Sequence, residues 1–144
     1  MPGIRVSEII DCTPSELWDY IEDIGSHVEW MADAEEITFT SKQTQGTGTT
    51  FDCLTKIGPI KLNDKMTITN WVENKSMGVT HDGLVKGVGE FTLIESGETQ
   101  TEFIWEEKLE YPIWMGGPIG AFISKPILKW VWNRNLKRLK EKFE

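Results

Sequence analysis

A chain of 144 residues with 39% hydrophobic side chains is long enough for one domain to bury a core without disulfides or metal. Its net charge of −8 argues against a nucleic-acid surface, because phosphate contacts need an excess of Lys and Arg. It has neither a basic leader with an apolar run nor an uncharged stretch of about eighteen residues, so a soluble cytoplasmic protein without stable membrane insertion is expected.

Residues 4–10 alternate, with Ile4, Val6, Glu8 and Ile10 against Arg5, Ser7 and Ile9, and predict a first strand. Thr13 then reads as a helix N-cap, with Pro14 in the first turn and Glu16 closing a capping box. Leu17, Trp18, Ile21 and Ile24 form the buried face of the helix that follows, and Gly25 is expected to end it. Ser26 can cap a second short helix with Val28 and Met31 on one side and Trp30 nearby.

From Glu35 the period switches to two. Strands are predicted over 36–41, 49–57, 60–72, 76–81, 86–95 and 99–111, separated by turn signals such as Gly58-Pro59, Asp82-Gly83 and Ser96-Gly97. Strands joined so tightly must be antiparallel. Cys12 and Cys53 form no metal-ligand cluster and are expected to be buried thiols in a reducing compartment.

Residues 116–143 predict one long helix opened by Gly116-Gly117-Pro118. In its first half Ile119, Phe122, Ile123, Ile127, Leu128, Trp130, Val131 and Trp132 point all round, so cover on several sides is expected. Beyond Trp132 the apolar stripe narrows to Leu136, Leu139 and Phe143, with Arg134, Lys137, Arg138, Lys140 and Lys142 on the outer face. Pro126 lacks an N–H and should bend the helix, which suggests a lid over something hydrophobic.

Several short stretches carry a resemblance. They are 13–18 (TPSELW), Trp30, 46–51 (GTGTTF), 105–107 (WEE) and 135–140 (NLKRLK). In this order the chain resembles the START-like helix-grip superfamily (SRPBCC), in particular its polyketide cyclase/dehydrase and lipid-transport branch. The resemblance implies an α+β helix-grip fold: a seven-stranded curved antiparallel sheet around the long C-terminal helix, two short helices between strands 1 and 2, and an internal cavity.

Alternation identifies the wall of such an interior without the family. Phe103, Trp105, Glu107, Leu109 and Tyr111 share one face of the last strand. Phe91 and Leu93, Met77 and Val79, Met66 and Ile68, and Phe51 and Cys53 point the same way on the others, and carry Gly87, Gly89, His81 and Asp64 inward. Counting back from the turns sets His81 beside Gly87 or Gly89, and that glycine beside Glu107. At a strand spacing of ~4.8 Å, His81 and Glu107 would stand about 10 Å apart with room for a ligand between them.

Each polar residue has a plainer reading. Glu107 is read as neutralised by a tyrosine, a tryptophan or water or solvated at the rim, as a ligand contact, or as an acid/base. His81 is read as a rim or structural histidine, Asp64 as a rim residue, and His27, on a short surface helix, as solvated. Gly87 and Gly89 can simply permit strong sheet coiling. Trp71, Trp105, Trp114 and Trp130 fill a core or line a pocket, and Met115 with Trp114 would make an adjustable mouth.

The expected function is therefore a cavity for a hydrophobic small molecule or lipid, lined by Phe51, Met66, Ile68, Met77, Val79, His81, Phe91, Trp105, Glu107 and Tyr111 from the sheet. Trp114, Phe122, Ile123, Ile127 and Trp130 are expected to contribute from the linker and lid. A polyketide cyclase-, dehydratase- or isomerase-like enzyme with Glu107 or His81 as acid/base is the alternative. A third reading is a protein-interaction module docking through Trp130 and Trp132, and a protein partner or homodimer stays open. No metal and no cofactor is expected, since the sequence has no metal-spaced cluster and no phosphate loop.

Overall fold

A computed structural model describes residues 3–144. The elements run β1 (Gly3–Ile10), α1 (Pro14–Ile21), a 3₁₀ segment (Ile24–Glu29), β2 (Ala34–Phe39), β3 (Thr50–Ile57), β4 (Ile60–Val72), β5 (Ser76–Asp82), β6 (Lys86–Gly97), β7 (Gln100–Glu110), a 3₁₀ turn (Ile113–Met115) and α2 (Gly117–Glu141). The seven strands form one antiparallel sheet in the order β1-β7-β6-β5-β4-β3-β2. This is the expected α+β arrangement, with the two short helical segments between β1 and β2. Among the described residues no helix is long and apolar enough to cross a membrane.

Local chemistry accounts for the helix starts. Thr13 Oγ1 accepts the Glu16 N–H at 3.2 Å, and Glu16 Oε1 accepts the Thr13 N–H at 3.1 Å, so the capping box forms as read. Helix α1 stops at Ile21, before Gly25, which lies inside the 3₁₀ segment. Pro126 lies within α2 without ending it.

The core divides the interior. Trp30, Phe91, Phe103, Trp105 and Trp132 form an aromatic cluster in which Trp105 and Trp132 stack at 4.7 Å between ring centroids. This cluster fills the side nearest β1 and β7, against which α2 packs through Leu128, Trp132, Leu136 and Leu139. A partly buried polar clasp fixes the helix to the segment before β2. Asn135 Oδ1 accepts the Ala32 N–H at 3.0 Å, Asn135 Nδ2 donates to Asp33 Oδ1 at 2.7 Å, and Trp132 Nε1 donates to Asp33 Oδ2 at 3.3 Å.

The expectation that the first half of α2 needs cover on several sides is not met. Only Gly117, Leu128 and Trp132 are buried there, and Ile119, Phe122, Ile123, Ile127 and Trp130 face outward. One row, from Leu128 through Trp132 to Leu136 and Leu139, seats the helix. An all-round apolar sequence does not reveal which row that is.

Candidate functional site

Sheet register brings the ionisable groups together. His81 on β5 pairs with Met66 on β4 and with Gly87 on β6, while Gly89 pairs with Glu107 on β7. A Cβ built on Gly89 would overlap the Glu107 carboxylate, and one on Gly87 would overlap the Lys108 carbonyl oxygen. Gly89 thus clears the space across β6 in which the Glu107 carboxylate reaches His81, while Gly87 allows β6 to lie close against the β7 backbone. Gly87 also takes φ +147, a conformation few other residues adopt.

The ligand-sized gap expected between His81 and Glu107 is therefore closed. His81 Nε2 donates to Glu107 Oε2 at 2.8 Å, and Nδ1 donates to Asp64 Oδ2 at 2.9 Å. Trp105 Nε1 supports Glu107 Oε1 at 3.4 Å. The reason is side-chain reach: a histidine and a glutamate leaning over glycine span two strand spacings. His81 and Glu107 are buried and Asp64 is partly so, which corrects the reading of His81 as a rim residue.

Burial by itself pulls the His81 imidazole down. The Glu107 charge and the hydrogen bonds to Asp64 and Glu107 outweigh it and push the pKa up to about 10. At neutral pH His81 is an imidazolium with both N–H groups committed to carboxylates. It has no lone pair with which to accept a proton.

His27, expected to be solvated, is buried, and its Nε2–H donates to the Ile21 carbonyl at 2.8 Å. Burial lowers its pKa to about 4, so it is neutral at pH 7. The spacing Ile24, His27, Met31 carries the signal, since it places His27 on the inward face with two apolar neighbours.

Two adjoining lobes form the cavity. The inner one, about 70 Å³, is enclosed by Ile24, His27 and Met31 above and by Phe51, Met66, Ile68, Met77, Val79 and Phe91 on the sheet. The outer one, about 140 Å³, runs between Leu84 and Val85 of the β5–β6 turn, Ile57 and Leu62 of β3 and β4, and Tyr111, Leu128 and Trp132. His81, Glu107, Met31, Cys53 and Met66 border both, so the His81–Glu107 pair stands at the neck. Burial raises the Cys53 thiol to about 12 and that of Cys12 to about 11, which leaves neither as a thiolate nucleophile.

The sheet residues predicted to line the interior do so, with one difference. Trp105 lies in the aromatic cluster and touches the site through its indole N–H. Tyr111 is at the outer lobe, its hydroxyl 2.7 Å from Ser124 Oγ, which ties the end of β7 to α2. The linker and lid residues are the correction. Trp114 (72% exposed), Phe122 (70%), Ile123 (63%), Ile127 (54%) and Trp130 (60%) lie on the outside and border neither lobe. Met115, paired with Trp114 as a mouth, borders neither lobe either.

The sequence model of the family described as polyketide cyclase/dehydrase and lipid transport matches residues 1–144. No curated protein matches the chain. Among solved structures, TTHA0849 from Thermus thermophilus is similar with a TM-score of 0.82 at 16% identity, over 99% of this chain and 97% of that one. A START superfamily protein from Mycobacterium smegmatis gives 0.81 at 10% identity, over 98% and 96% of the two chains. A conserved protein from Geobacillus kaustophilus gives 0.79 at 13% identity, over 99% and 95%. At these identities the likeness is one of fold.

Proposed function

The chain belongs to the polyketide cyclase/dehydrase and lipid transport family, and on that premise we propose that it binds a compact hydrophobic molecule bearing one hydrogen-bond donor or cationic group. The observation that carries this reading is the polarity of the neck. Both N–H groups of His81 are consumed by Asp64 and Glu107, so what the wall offers a ligand there is carboxylate oxygen, an acceptor. A hydroxyl, an enol or an amine would satisfy it. The rest of the wall, from Phe51 to Phe91, is apolar and supplies affinity by area.

Size narrows the ligand class. Lobes of about 70 and 140 Å³ are small beside ligand pockets of roughly 300–1,000 Å³, which favours a molecule smaller than a two-chain lipid. Met31, Met66 and Met77 give the wall side chains that can repack around a longer guest.

The enzymatic alternative narrows as well. His81 has no free lone pair, so proton abstraction next to a carbonyl would fall to Glu107, with His81 holding its charge. Native mass spectrometry of freshly purified protein tests the binding reading, with a co-purified lipophile as the expected result. A phenol should also bind more tightly than its methyl ether, and Glu107→Gln should narrow that difference. Repeated absence of any lipophile, together with no uptake of a hydrophobic fluorescent probe, would overturn it.

A further inference from the structure

Six of the fifteen Lys and Arg residues fall between positions 111 and 140, and none of the twenty-three Asp and Glu does. The other nine cations share the rest of the chain with all the acids, so α2 is a basic strip on an acidic protein. The same strip carries the largest exposed apolar side chains. Ile119, Ile123, Trp130 and Lys137 recur at spacings of four and seven, which sets them in one row opposite the buried Leu128, Trp132 and Leu139.

Phe122, followed by Lys125 and Lys129, borders that row on one side. On the other, the Arg134 guanidinium lies over the Trp130 ring, 4.8 Å from its centroid. Among the described residues Lys125, Lys129 and Lys137 have no carboxylate partner. An outward face that is apolar in its first half, fringed with lysine and cationic in its second is poorly matched to water and to the protein's own acidic surface.

We propose that this face of α2 docks on an anionic lipid bilayer, with the helix lying in the plane of the interface. The row is convex, and a peptide seated in the groove beside Trp130, between Ile57 and Arg134, would leave Ile119, Phe122 and Ile123 uncovered. Trp114 precedes the row and Trp130 closes its apolar half, and their amphipathic rings suit the headgroup level, while the lysines meet anionic phosphates. A second copy of the chain is the poorer occupant, because packing two such faces sets Lys125 and Lys129 against the same cations.

The position of the face adds to the argument. The turns carrying Ile60 and Leu84, both exposed, lie at the end of the sheet where β7 hands over to α2, so the outer lobe opens at the same end. The proposal does not depend on what the cavity holds.

Co-sedimentation with phosphatidylcholine vesicles, with and without phosphatidylglycerol, tests it. Binding to the anionic vesicles is expected, with a blue shift of tryptophan emission and loss of binding at high salt. Phe122→Ser with Ile123→Ser should lower partitioning about tenfold or more. Lys125→Glu with Lys129→Glu should lower it by about fivefold per cation. Both double variants should keep the wild-type melting curve and, without vesicles, the same uptake of a fluorescent probe by the cavity. No association with anionic vesicles overturns the proposal, as does equal binding to both vesicle types by wild type and the lysine variant. A dimer in sedimentation velocity that Ile123→Ser dissolves, without vesicle binding, overturns it in favour of self-association.

Discussion

His81 Nε2 lies 2.8 Å from Glu107 Oε2 although a whole strand separates their backbones. The contact exists because β6 carries glycine at the position where a side chain would intervene, Gly89. One spatial arrangement thus fixes the charge of the histidine, the acceptor character of the neck and the partition of the cavity into two lobes.

The two histidines should titrate on opposite sides of the ordinary value of 6.5. His81 is held up at about 10 by its carboxylate neighbours against the opposing effect of burial, and His27 is held down at about 4 by burial. Imidazole NMR resonances followed from pH 5 to pH 8 are therefore expected to show almost no movement for either ring. A normal midpoint for the ring that Glu107→Gln perturbs would show that the pair is not formed in solution.

The same shifts set the pH dependence of stability. His81, raised, stabilises fully below pH 6.5, and that contribution is lost as pH climbs through about 10. His27, lowered, does the reverse: its contribution is present above pH 6.5 and is lost as pH falls toward about 4. Denaturant unfolding should give a dome between these limits, with the alkaline decline removed by His81→Gln and retained by His27→Gln.

Removing one member of the buried cluster should cost more than its hydrogen bonds alone. His81→Leu leaves Asp64 and Glu107 facing each other in a partly dry site, and a loss of about 3–5 kcal/mol at pH 7 is expected. Much of that loss should be recovered when Glu107→Leu is added, because one of the two facing charges is then removed. Urea melts of the single and double variants at pH 7 measure it. A double variant no more stable than His81→Leu would mean that packing, not charge, dominates.

Gly89→Ala separates the two roles of this glycine. A methyl group there overlaps the Glu107 carboxylate, so the carboxylate must swing away. Stability should fall by about 1–3 kcal/mol, and the His81 pKa should move back toward 6.5. Were the glycine present only for sheet coiling, the stability would fall and the titration would stay put.

These particulars show what was legible before the fold. Alternation along β7 and β5 put Glu107 and His81 on the inner face, and the turn signals fixed a register close enough to set a glycine between them. Two strand spacings gave a gap of about 10 Å, but side-chain length closes it, and strand periodicity carries no information about reach. Helix α2 shows the complementary limit. Where the apolar residues from Ile119 to Trp132 surround the axis, periodicity cannot choose the buried row, and the choice fell to Leu128 and Trp132 because they meet the sheet and the aromatic cluster. His27 was legible in principle, one turn from Ile24 and Met31, but its polarity outweighed its position.

Cavity filling tests whether the inner lobe is a working part of the molecule or a packing defect. Val79 borders that lobe, so a leucine at this position reaches into its space. Val79→Leu should leave stability unchanged or raise it by up to about 1 kcal/mol, because the side chain gains contacts that the valine lacks. At the same time it removes volume from a lobe of only about 70 Å³, so uptake of a hydrophobic probe should weaken severalfold. Thermal melts and probe titrations on one preparation give both numbers. Higher stability with weaker binding means that the hollow is kept for a guest at a cost to the fold, and unchanged binding would assign the guest to the outer lobe alone.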